Sequence, residues 1–238
     1  MTEDQRARDA LAAAADLGAF FGTAPVAGPG WTSWARLTDE PDVLDRRLAE
    51  VGRGLSAAHG AVAVEPPVVA SIAHLGLVAR LVAPVLGAGL AGRVLPVAPP
   101  ASVHLRLSGA NPLPLAVTGA RPAAAGLPEE LARAFTLHWL TPAIAPLGRA
   151  VGAASGVSPQ VLHGNVVSAV AGALRMAAGA RPGLAGRAAA VLGDLLHTGP
   201  LAGSGGHRDD GTFVRRSCCL FYRLPGAGTC GDCVLRER

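Results

Sequence analysis

Apolar residues recur at helical spacing through most of the 238-residue chain. The pattern predicts a first helix from Asp4 to Phe21 and a second from Asp39 to about His59, with Pro41 in its first turn. The longest apolar stretch, Val68 to Leu95, predicts helical segments, one of which ends or bends at Pro84. The first third of the chain is therefore expected to be helical.

The middle of the chain carries a different pattern. Ser102 to Leu107 alternates apolar and polar residues, which predicts a strand, and Leu113 to Thr118 is expected to pair with it across the turn Gly109 to Pro112. Ala61 to Val64 predicts another short strand before a pair of prolines. We therefore expect a small antiparallel sheet among the helices.

Three more helices are predicted in the second half of the chain. They cover about Pro128 to Val151, Ser158 to Ala178 and Pro182 to His197. The second has the clearest start, because Ser158 can cap the helix and Pro159 suits its first position.

The residue composition of the chain changes after these helices. The run from Gly199 to Gly206 predicts a flexible connector, and the residues after it are rich in arginine and cysteine. We therefore predict a helix-rich α+β body over residues 1–206 and a C-terminal metal-binding segment over residues 207–238.

Charge adds little to this prediction. The net charge is +4, and all 21 basic residues are arginines that lie dispersed along the chain. Since no basic block with interleaved aromatic residues occurs, nucleic-acid binding is not expected.

The N-terminus and the apolar stretch bear on location. Met1 to Asp4 is acidic and lacks the basic start of a secretory signal. His74, Arg80 and Arg93 interrupt the stretch from Pro66 to Val97, which favours buried helices over a membrane span. We expect a cytoplasmic protein and leave open a peripheral contact with the membrane.

The glycines of Gly87-Ala88-Gly89-Leu90-Ala91-Gly92 have the spacing of a dinucleotide-binding loop. Such a loop follows a strand and needs an acidic residue about twenty positions later. Pro84 precedes the glycines, and residues 107–113 contain no Asp or Glu. We therefore predict no nucleotide site there.

All four cysteines lie close together near the C-terminus. Cys218 and Cys219 are adjacent, and Cys230 and Cys233 follow in the order Cys-Cys-x10-Cys-x2-Cys. Disulfides, a structural zinc ion and an iron–sulfur cluster can each use four such residues. Disulfides are disfavoured, because the chain shows no secretory signal and has a core of its own.

The choice between zinc and iron depends on the spacing. A structural zinc ion prefers two Cys-x2-4-Cys knuckles, and only Cys230 and Cys233 form one. Adjacent cysteines tend to point their side chains apart, whereas an iron–sulfur cluster tolerates varied spacing because its irons share four thiolates. The spacing therefore favours a cluster and leaves zinc as an alternative.

Residues around the cysteines could tune such a centre. Arg215, Arg216 and Arg223 place positive charge beside an anionic site, which should raise a reduction potential. The glycines between Gly226 and Gly231 allow backbone amides to approach sulfur. His207 is a candidate for contact with a ligand sulfur or a substrate. Simple solvation of the surface is the alternative for the arginines and for His207.

The segment Arg-Arg-Ser-Cys-Cys-Leu-Phe-Tyr-Arg, residues 215–223, together with Cys230-Gly-Asp-Cys233, resembles the C-terminal signature of the FhuF-like ferric-siderophore reductases. Members of that family hold a [2Fe–2S] cluster with the same cysteine spacing. The resemblance implies that Cys218, Cys219, Cys230 and Cys233 are cluster ligands.

A second stretch is similar to the same family. Leu162 to Ala169 resembles its Trp-Gly-Asn helix motif, with His163 at the position of the tryptophan. Asn165 lies inside a helix, where a polar residue that faces the body should be hydrogen-bonded, and the motif implies a role at the site. Ala70-Ser71 is similar to the middle region of the family.

The resemblance implies reduction of Fe(III) in an imported siderophore complex, of hydroxamate type by analogy, with release of Fe(II). Hard oxygen donors hold Fe(III) far more tightly than Fe(II), so one electron frees the metal. No flavin or nicotinamide site is visible, so the electron is expected from an external ferredoxin or reductase. The alternatives are a general ferredoxin-like electron carrier and a binding module with a structural zinc ion.

The C-terminal part of siderophore synthetases is also similar, as an analogy of fold. It implies a small antiparallel sheet flanked by helices, which agrees with the predicted strands.

Overall fold

Two long apolar helices lie at the centre of the computed structural model, which describes residues 2–26, 28–108 and 111–237. The helices are α1 (Glu3–Ala15), α2 (Trp34–Asp39), α3 (Pro41–Ala58), α4 (Pro66–Gly92), α5 (Pro128–Phe135), α6 (Ala145–Ser155), α7 (Pro159–Ala180) and α8 (Ala185–His197). The strands are β1 (Trp31–Ser33), β2 (Val94–Val97), β3 (Val103–Arg106), β4 (Leu115–Val117), β5 (Arg121–Ala124), β6 (Gly205–His207) and β7 (Phe213–Arg215). The fold is thus helix-rich α+β with small antiparallel sheets, as predicted.

Helix α4 packs against α1 and α7 and is buried along most of its length. Pro84 lies inside this continuous helix, so of the two predicted alternatives an end at Pro84 is wrong, and a bend there stays a prediction. A proline in a helix interior costs roughly 3 kcal/mol. Burial of a single large apolar side chain contributes about 1.5–3 kcal/mol, so the many buried side chains of α4 outweigh that cost.

The glycines near the end of α4 allow neighbouring elements to approach closely. A Cβ atom at Gly92 would lie 2.8 Å from the Cα of Ala10, and one at Gly87 would lie 2.5 Å from the ring of Phe21. Helix packing therefore accounts for the spacing of these glycines.

Three sheets surround the helices. Strands β1, β3 and β4 form an antiparallel sheet in that order, in which Leu105 pairs with Thr32 on one side and Leu115 on the other. The predicted pairing of β3 with β4 is confirmed, while residues 109 and 110 of the predicted turn lie outside the described residues. Two further antiparallel pairs join β2 to β5 and β6 to β7.

Other predictions need correction. Residues 61–64 form a loop and not a strand. Val62 is 50% exposed and Ala61 has a φ of 58°, so the apolar side chains of this run do not form one buried face of a strand. Helix α1 ends earlier than predicted because the chain turns at Gly18, whose φ is 123°. A short 3-10 helix follows at Ala19–Phe21.

The helices of the second half begin largely where predicted. Ser158 caps α7, since its Oγ accepts a hydrogen bond from the N–H of Val161 at 3.3 Å. The predicted helix over Pro128 to Val151 consists of α5, a π-helix over Thr136–Ile144 and α6.

The run from Gly199 to Gly206 does not form the predicted open connector. It contains a 3-10 helix over Gly199–Leu201 and the first residues of β6, and both Ser204 and Gly205 are buried. The ring of Phe213 occupies the space beside Gly205, which is why this residue has no side chain. The division of the chain at residue 206 stays a prediction.

Helices α4 and α7 are each long and apolar enough to cross a membrane. The most apolar window of α4 is 78% buried inside the fold, and that of α7 is 61% buried. Such packing is typical of core helices in a soluble protein, so the two helices are weak evidence for a span. Cytoplasmic location and peripheral membrane contact stay predictions.

Candidate metal centre

The cysteine-bearing segment, residues 215–235, begins at the last residue of the β6–β7 hairpin. The chain then turns at Leu220, which has a φ of 65°, and forms a 3-10 helix over Phe221–Arg223. A second turn is closed by the N–H of Cys233, which donates to the carbonyl of Cys230 at 3.3 Å. Because the segment has little regular structure, contacts with the helices must fix its position.

Each cysteine pair contributes one buried and one partly exposed thiol. Cys219 and Cys233 are 3% and 2% exposed, whereas Cys218 and Cys230 are half-buried. The Sγ atoms of Cys219 and Cys230 lie 3.6 Å apart, so the two pairs meet in space although ten residues separate them in sequence.

Backbone amides donate to two of the sulfurs. The N–H of Leu220 reaches Cys218 Sγ at 3.3 Å, and the N–H of Leu235 reaches Cys233 Sγ at the same distance. In both cases the donor lies two residues after the cysteine. Such donors stabilise negative charge on sulfur, as cluster ligands require.

The candidate donors are four free cysteine thiols, of which those of Cys219 and Cys230 are in contact. Among the described residues, no three His, Cys, Asp or Glu side chains converge where one metal ion could be held. A zinc ion needs four donors around one point. A [2Fe–2S] cluster is larger and is held by four cysteine thiolates, which matches two pairs that approach each other through Cys219 and Cys230.

Arg215 is a buried cation beside these thiols, with a side chain only 1% exposed. Its guanidinium donates to Cys230 Sγ at 2.9 Å and to the Asp232 carboxylate at 3.3 Å. Burial opposes the charge, but Asp232 and the thiols of Cys219 and Cys230 outweigh burial and raise the pKa of Arg215. The guanidinium therefore stays charged against the sulfur.

The proximity of these groups makes the pKa values of the Cys219 and Cys230 thiols differ. The hydrogen bond with Cys230, together with the positive charge of Arg215, lowers the pKa of Cys219 to about 7. The same hydrogen bond raises the pKa of Cys230. Since the thiolate is the form that binds metal, Cys219 is the cysteine of this pair that ionises more readily.

Two core helices hold the segment through a buried chain of hydrogen bonds. Asn165 on α7 accepts from Arg215 at 3.0 Å and donates to the carbonyl and the hydroxyl of Ser71 on α4 at 2.9 and 3.0 Å. The Ser71 hydroxyl in turn donates to the carbonyl of Cys219 at 2.7 Å. Asn165 is thus hydrogen-bonded, as its place in the helix predicted, and it contacts the cluster segment through Arg215.

Helix α7 also touches the segment directly. A Cβ atom at Gly164 would collide with the Oγ of Ser217, the residue before Cys218. The small residue at this position therefore lets the segment lie against the helix just before the first cysteine.

The remaining predicted site residues lie around this network. Arg216 is exposed, and it lines a cavity of about 250 Å³ together with His163 and Ser217. Arg223 forms an ion pair with Glu65 on the surface. The ring of His207 packs edge-on against Phe213, with centroids 6.0 Å apart. Tuning or substrate contact by these residues stays a prediction.

Several supporting residues were not predicted from the sequence as part of the site. Ser71 was noted only for its resemblance, although a serine inside the most apolar helix is a usable signal. Arg208 donates to the carbonyl of Cys233 at 2.8 Å without any local pattern that would have identified it. Asp232, which accepts from Arg215, lies inside the Cys-Gly-Asp-Cys motif, and this position was its only signal.

Comparison with known families agrees with this geometry. Residues 215–235 match the family model described as the FhuF 2Fe-2S C-terminal domain, and the match includes all four cysteines. A search of curated proteins finds no match to the chain. The cofactor is accordingly a [2Fe–2S] cluster. The C-terminal segment is therefore similar to that of the FhuF-like family.

Proposed function

We propose that the protein is a ferric-siderophore reductase that delivers one electron to Fe(III) in a hydroxamate-type complex and so releases Fe(II). The observation that carries the proposal is the match of residues 215–235 to the FhuF 2Fe-2S C-terminal domain, in which each cysteine pair leaves one thiol partly exposed. The proposal builds on the iron–sulfur binding that this match supports.

When bound, the cluster supplies one-electron chemistry. Cys218, Cys219, Cys230 and Cys233 are the residues that would hold it. Arg215 places a fixed positive charge at Cys230, and the amides of Leu220 and Leu235 donate to sulfur. These contacts favour the more negative state of the site, which makes the protein easier to reduce.

The proposed substrate explains why so little catalytic machinery is needed. Fe(III) bound by hard oxygen donors loses affinity when it becomes Fe(II), so the ligand requires no bond cleavage. One electron enters the complex, Fe(II) leaves, and the hydroxamate oxygens take up protons from water. The protein needs only to let the complex approach the side on which Cys218 and Cys230 are partly exposed.

The electron donor is proposed to be an external ferredoxin or reductase. Arg216 and Arg236 are exposed on the cysteine-bearing segment or beside it. Positive charge at a docking surface attracts a partner with an acidic surface and increases the rate of encounter.

Anaerobic mixing tests the proposal. Reduced protein is combined with a ferric trihydroxamate and a chromogenic Fe(II) trap, and Fe(II) formation is followed in time. A plain [2Fe–2S] ferredoxin of similar potential is the control. We expect faster Fe(II) release than the ferredoxin gives; equal rates would favour the general electron carrier instead.

A further inference from the structure

A cleft of about 780 Å³ lies on the body between α6, α7 and the π-helix. Its volume is in the range of small-molecule binding sites, which are typically mostly apolar with a few polar groups. The walls have this composition, and their main residues are His74, Leu140, Ile144, Gly148, Leu162 and Val166.

The π-helix contributes one wall of the cleft through Leu140, Thr141 and Ile144. Pro142 lies inside this element and lacks the N–H that an α-helix would use. π-helical turns are rare and frequently occur at functional sites. A nine-residue π-helix that lines this cleft therefore indicates a site and not a packing defect.

His74 lies at the floor of the cleft with unused hydrogen-bonding capacity. Its side chain is fully buried, and neither ring nitrogen has a partner among the described residues. Its Nε2 faces Gly148, which lines the cleft: a Cβ atom there would lie 3.6 Å from this nitrogen. A buried polar group without a partner costs about 1–3 kcal/mol, so a ligand that bonds His74 would recover this energy.

The charges of the cleft restrict the ligand further. Burial lowers the pKa of His74 to about 4, so the ring is neutral at pH 7 and offers one donor and one acceptor. Arg149 and His163 also line the cleft, whereas none of its lining residues in the described chain is Asp or Glu. The cleft therefore favours an uncharged or anionic molecule over a cation.

His163 connects the cleft to a second cavity at the cysteine-bearing segment. His163 lines both this cleft and the smaller cavity that Arg216 and Ser217 line next to Cys218. One side chain thus separates a molecule in the cleft from the residues that lead into the first cysteine.

We propose that this cleft binds an organic molecule with an apolar body and a carbonyl or hydroxyl oxygen that hydrogen-bonds His74. Two sources supply this chemistry: the organic framework of a hydroxamate complex, and a quinone. Only the first source rests on the proposed function, because a quinone would bind whether or not the protein reduces siderophores.

The test measures binding without electron transfer. The oxidised, cluster-loaded protein is titrated with a neutral Ga(III) trihydroxamate, which is inert to reduction, and separately with a decyl-substituted benzoquinone. Calorimetry reports the affinities. Failure to bind is thereby distinguishable from failure to release Fe(II) in the reductase assay.

Three variants locate the bound molecule. Ala153 is exposed and lines the cleft, so Ala153→Trp fills it without disturbing the core; Ala154 is exposed on the same helix and does not line it. We expect at least one probe to bind, with affinity lost in Ala153→Trp, unchanged in Ala154→Trp, and reduced about tenfold in His74→Leu, as expected for one lost hydrogen bond.

The pattern of binding decides the outcome. Binding of the Ga(III) complex identifies the ligand as a hydroxamate complex, and binding of the benzoquinone identifies it as a quinone. The proposal is overturned if neither probe binds, or if both bind all variants equally. Melting temperature and the visible cluster spectrum confirm that each variant is folded and loaded.

Discussion

Asn165 accepts a hydrogen bond from Arg215 over 3.0 Å, and the same guanidinium donates to Cys230 Sγ at 2.9 Å. The centre of a core helix is thereby linked through one side chain to the sulfur of Cys230. Because Asn165 and Arg215 are both fully buried, their partners are set by the fold and not by solvent. The following predictions depend on this link and on the groups beside it.

Replacing Asn165 with Leu should weaken the attachment of the cysteine segment. The change leaves one Arg215 donor and the Ser71 hydroxyl without this partner, at a cost of about 2–3 kcal/mol. For a chain of this length we expect the apparent melting temperature to fall by roughly 4–12 °C. Visible absorbance of the loaded protein during heating measures this. Ser168→Ala, at a half-buried position on the same helix, is the control; equal melting of the two variants would contradict the prediction.

Arg215→Gln should lower the reduction potential. Glutamine retains hydrogen-bond donors and removes the positive charge that favours the reduced state. Two unit charges 4 Å apart interact by about 4 kcal/mol at an effective dielectric constant of 20. Since 2.3 kcal/mol corresponds to about 100 mV for one charge, we expect a decrease on the order of 100 mV in a spectroscopic redox titration.

Arg223→Gln is the matched control for that charge, because Arg223 pairs with Glu65 on the surface. We expect its shift to be several times smaller. Equal shifts in the two variants would mean that general surface charge sets the potential and not the contact with Cys230.

Gly164→Ala should destabilise the loaded protein, because the added methyl group collides with Ser217. Overpacking of this kind typically costs about 1–3 kcal/mol. Gly172→Ala on the same helix meets no atom within 4 Å and should stabilise by up to about 1 kcal/mol through helix propensity. Thermal unfolding measures the stability of both variants. Adding Ser217→Gly to the Gly164→Ala variant should restore its stability. Absence of rescue would show that the collision is not the cause.

Stability should decrease in mild acid because of His74. Burial lowers its pKa to about 4 from an ordinary 6.5, so the unfolded chain binds a proton that the folded protein does not. The resulting stability is fully present above about pH 6.5 and is lost as the pH falls toward 4. At about 1.4 kcal/mol per pKa unit, the loss is on the order of 3 kcal/mol.

The effect of His74 is isolated by comparison with His74→Leu, which has no titrating ring. Denaturation midpoints of the two proteins are measured between pH 7.5 and 5. We expect the denaturation midpoint of His74→Leu to rise relative to that of the wild type as the pH falls. Parallel pH profiles would show that His74 does not contribute, and that other groups, such as His163 in the same cleft, cause any acid sensitivity.

The sequence was sufficient for elements with a strong local signal. Helix α7 has a serine cap, a proline at its first position and sustained periodicity, and it begins where predicted. Strand β1 has three residues and pairs with β3 more than seventy positions away, so nothing local marks it. The alternative that a helix ends at Pro84 was wrong because the burial of α4, which outweighs the cost of the proline, is a property of the tertiary structure.

Prediction of the site from the sequence was limited in the same way. The four cysteines and Arg215 could be proposed as site residues from spacing and resemblance, because cluster ligands follow a motif along the chain; their roles stay predictions. The bonds that position them connect Ser71 to Cys219 and to Asn165, across 148 and 94 residues. No local pattern specifies such partners, and Gly164 acquires its meaning only when Ser217 lies against it.

The most direct test of the central claim is the metal and sulfide content of the purified protein and of its four single Cys→Ser variants, combined with electron paramagnetic resonance after one-electron reduction. We predict two irons and two acid-labile sulfides per chain, a resonance that appears on reduction, and loss or a marked change of that signal when Cys218, Cys219, Cys230 or Cys233 is replaced. A colourless protein with one zinc ion and no sulfide would contradict the account.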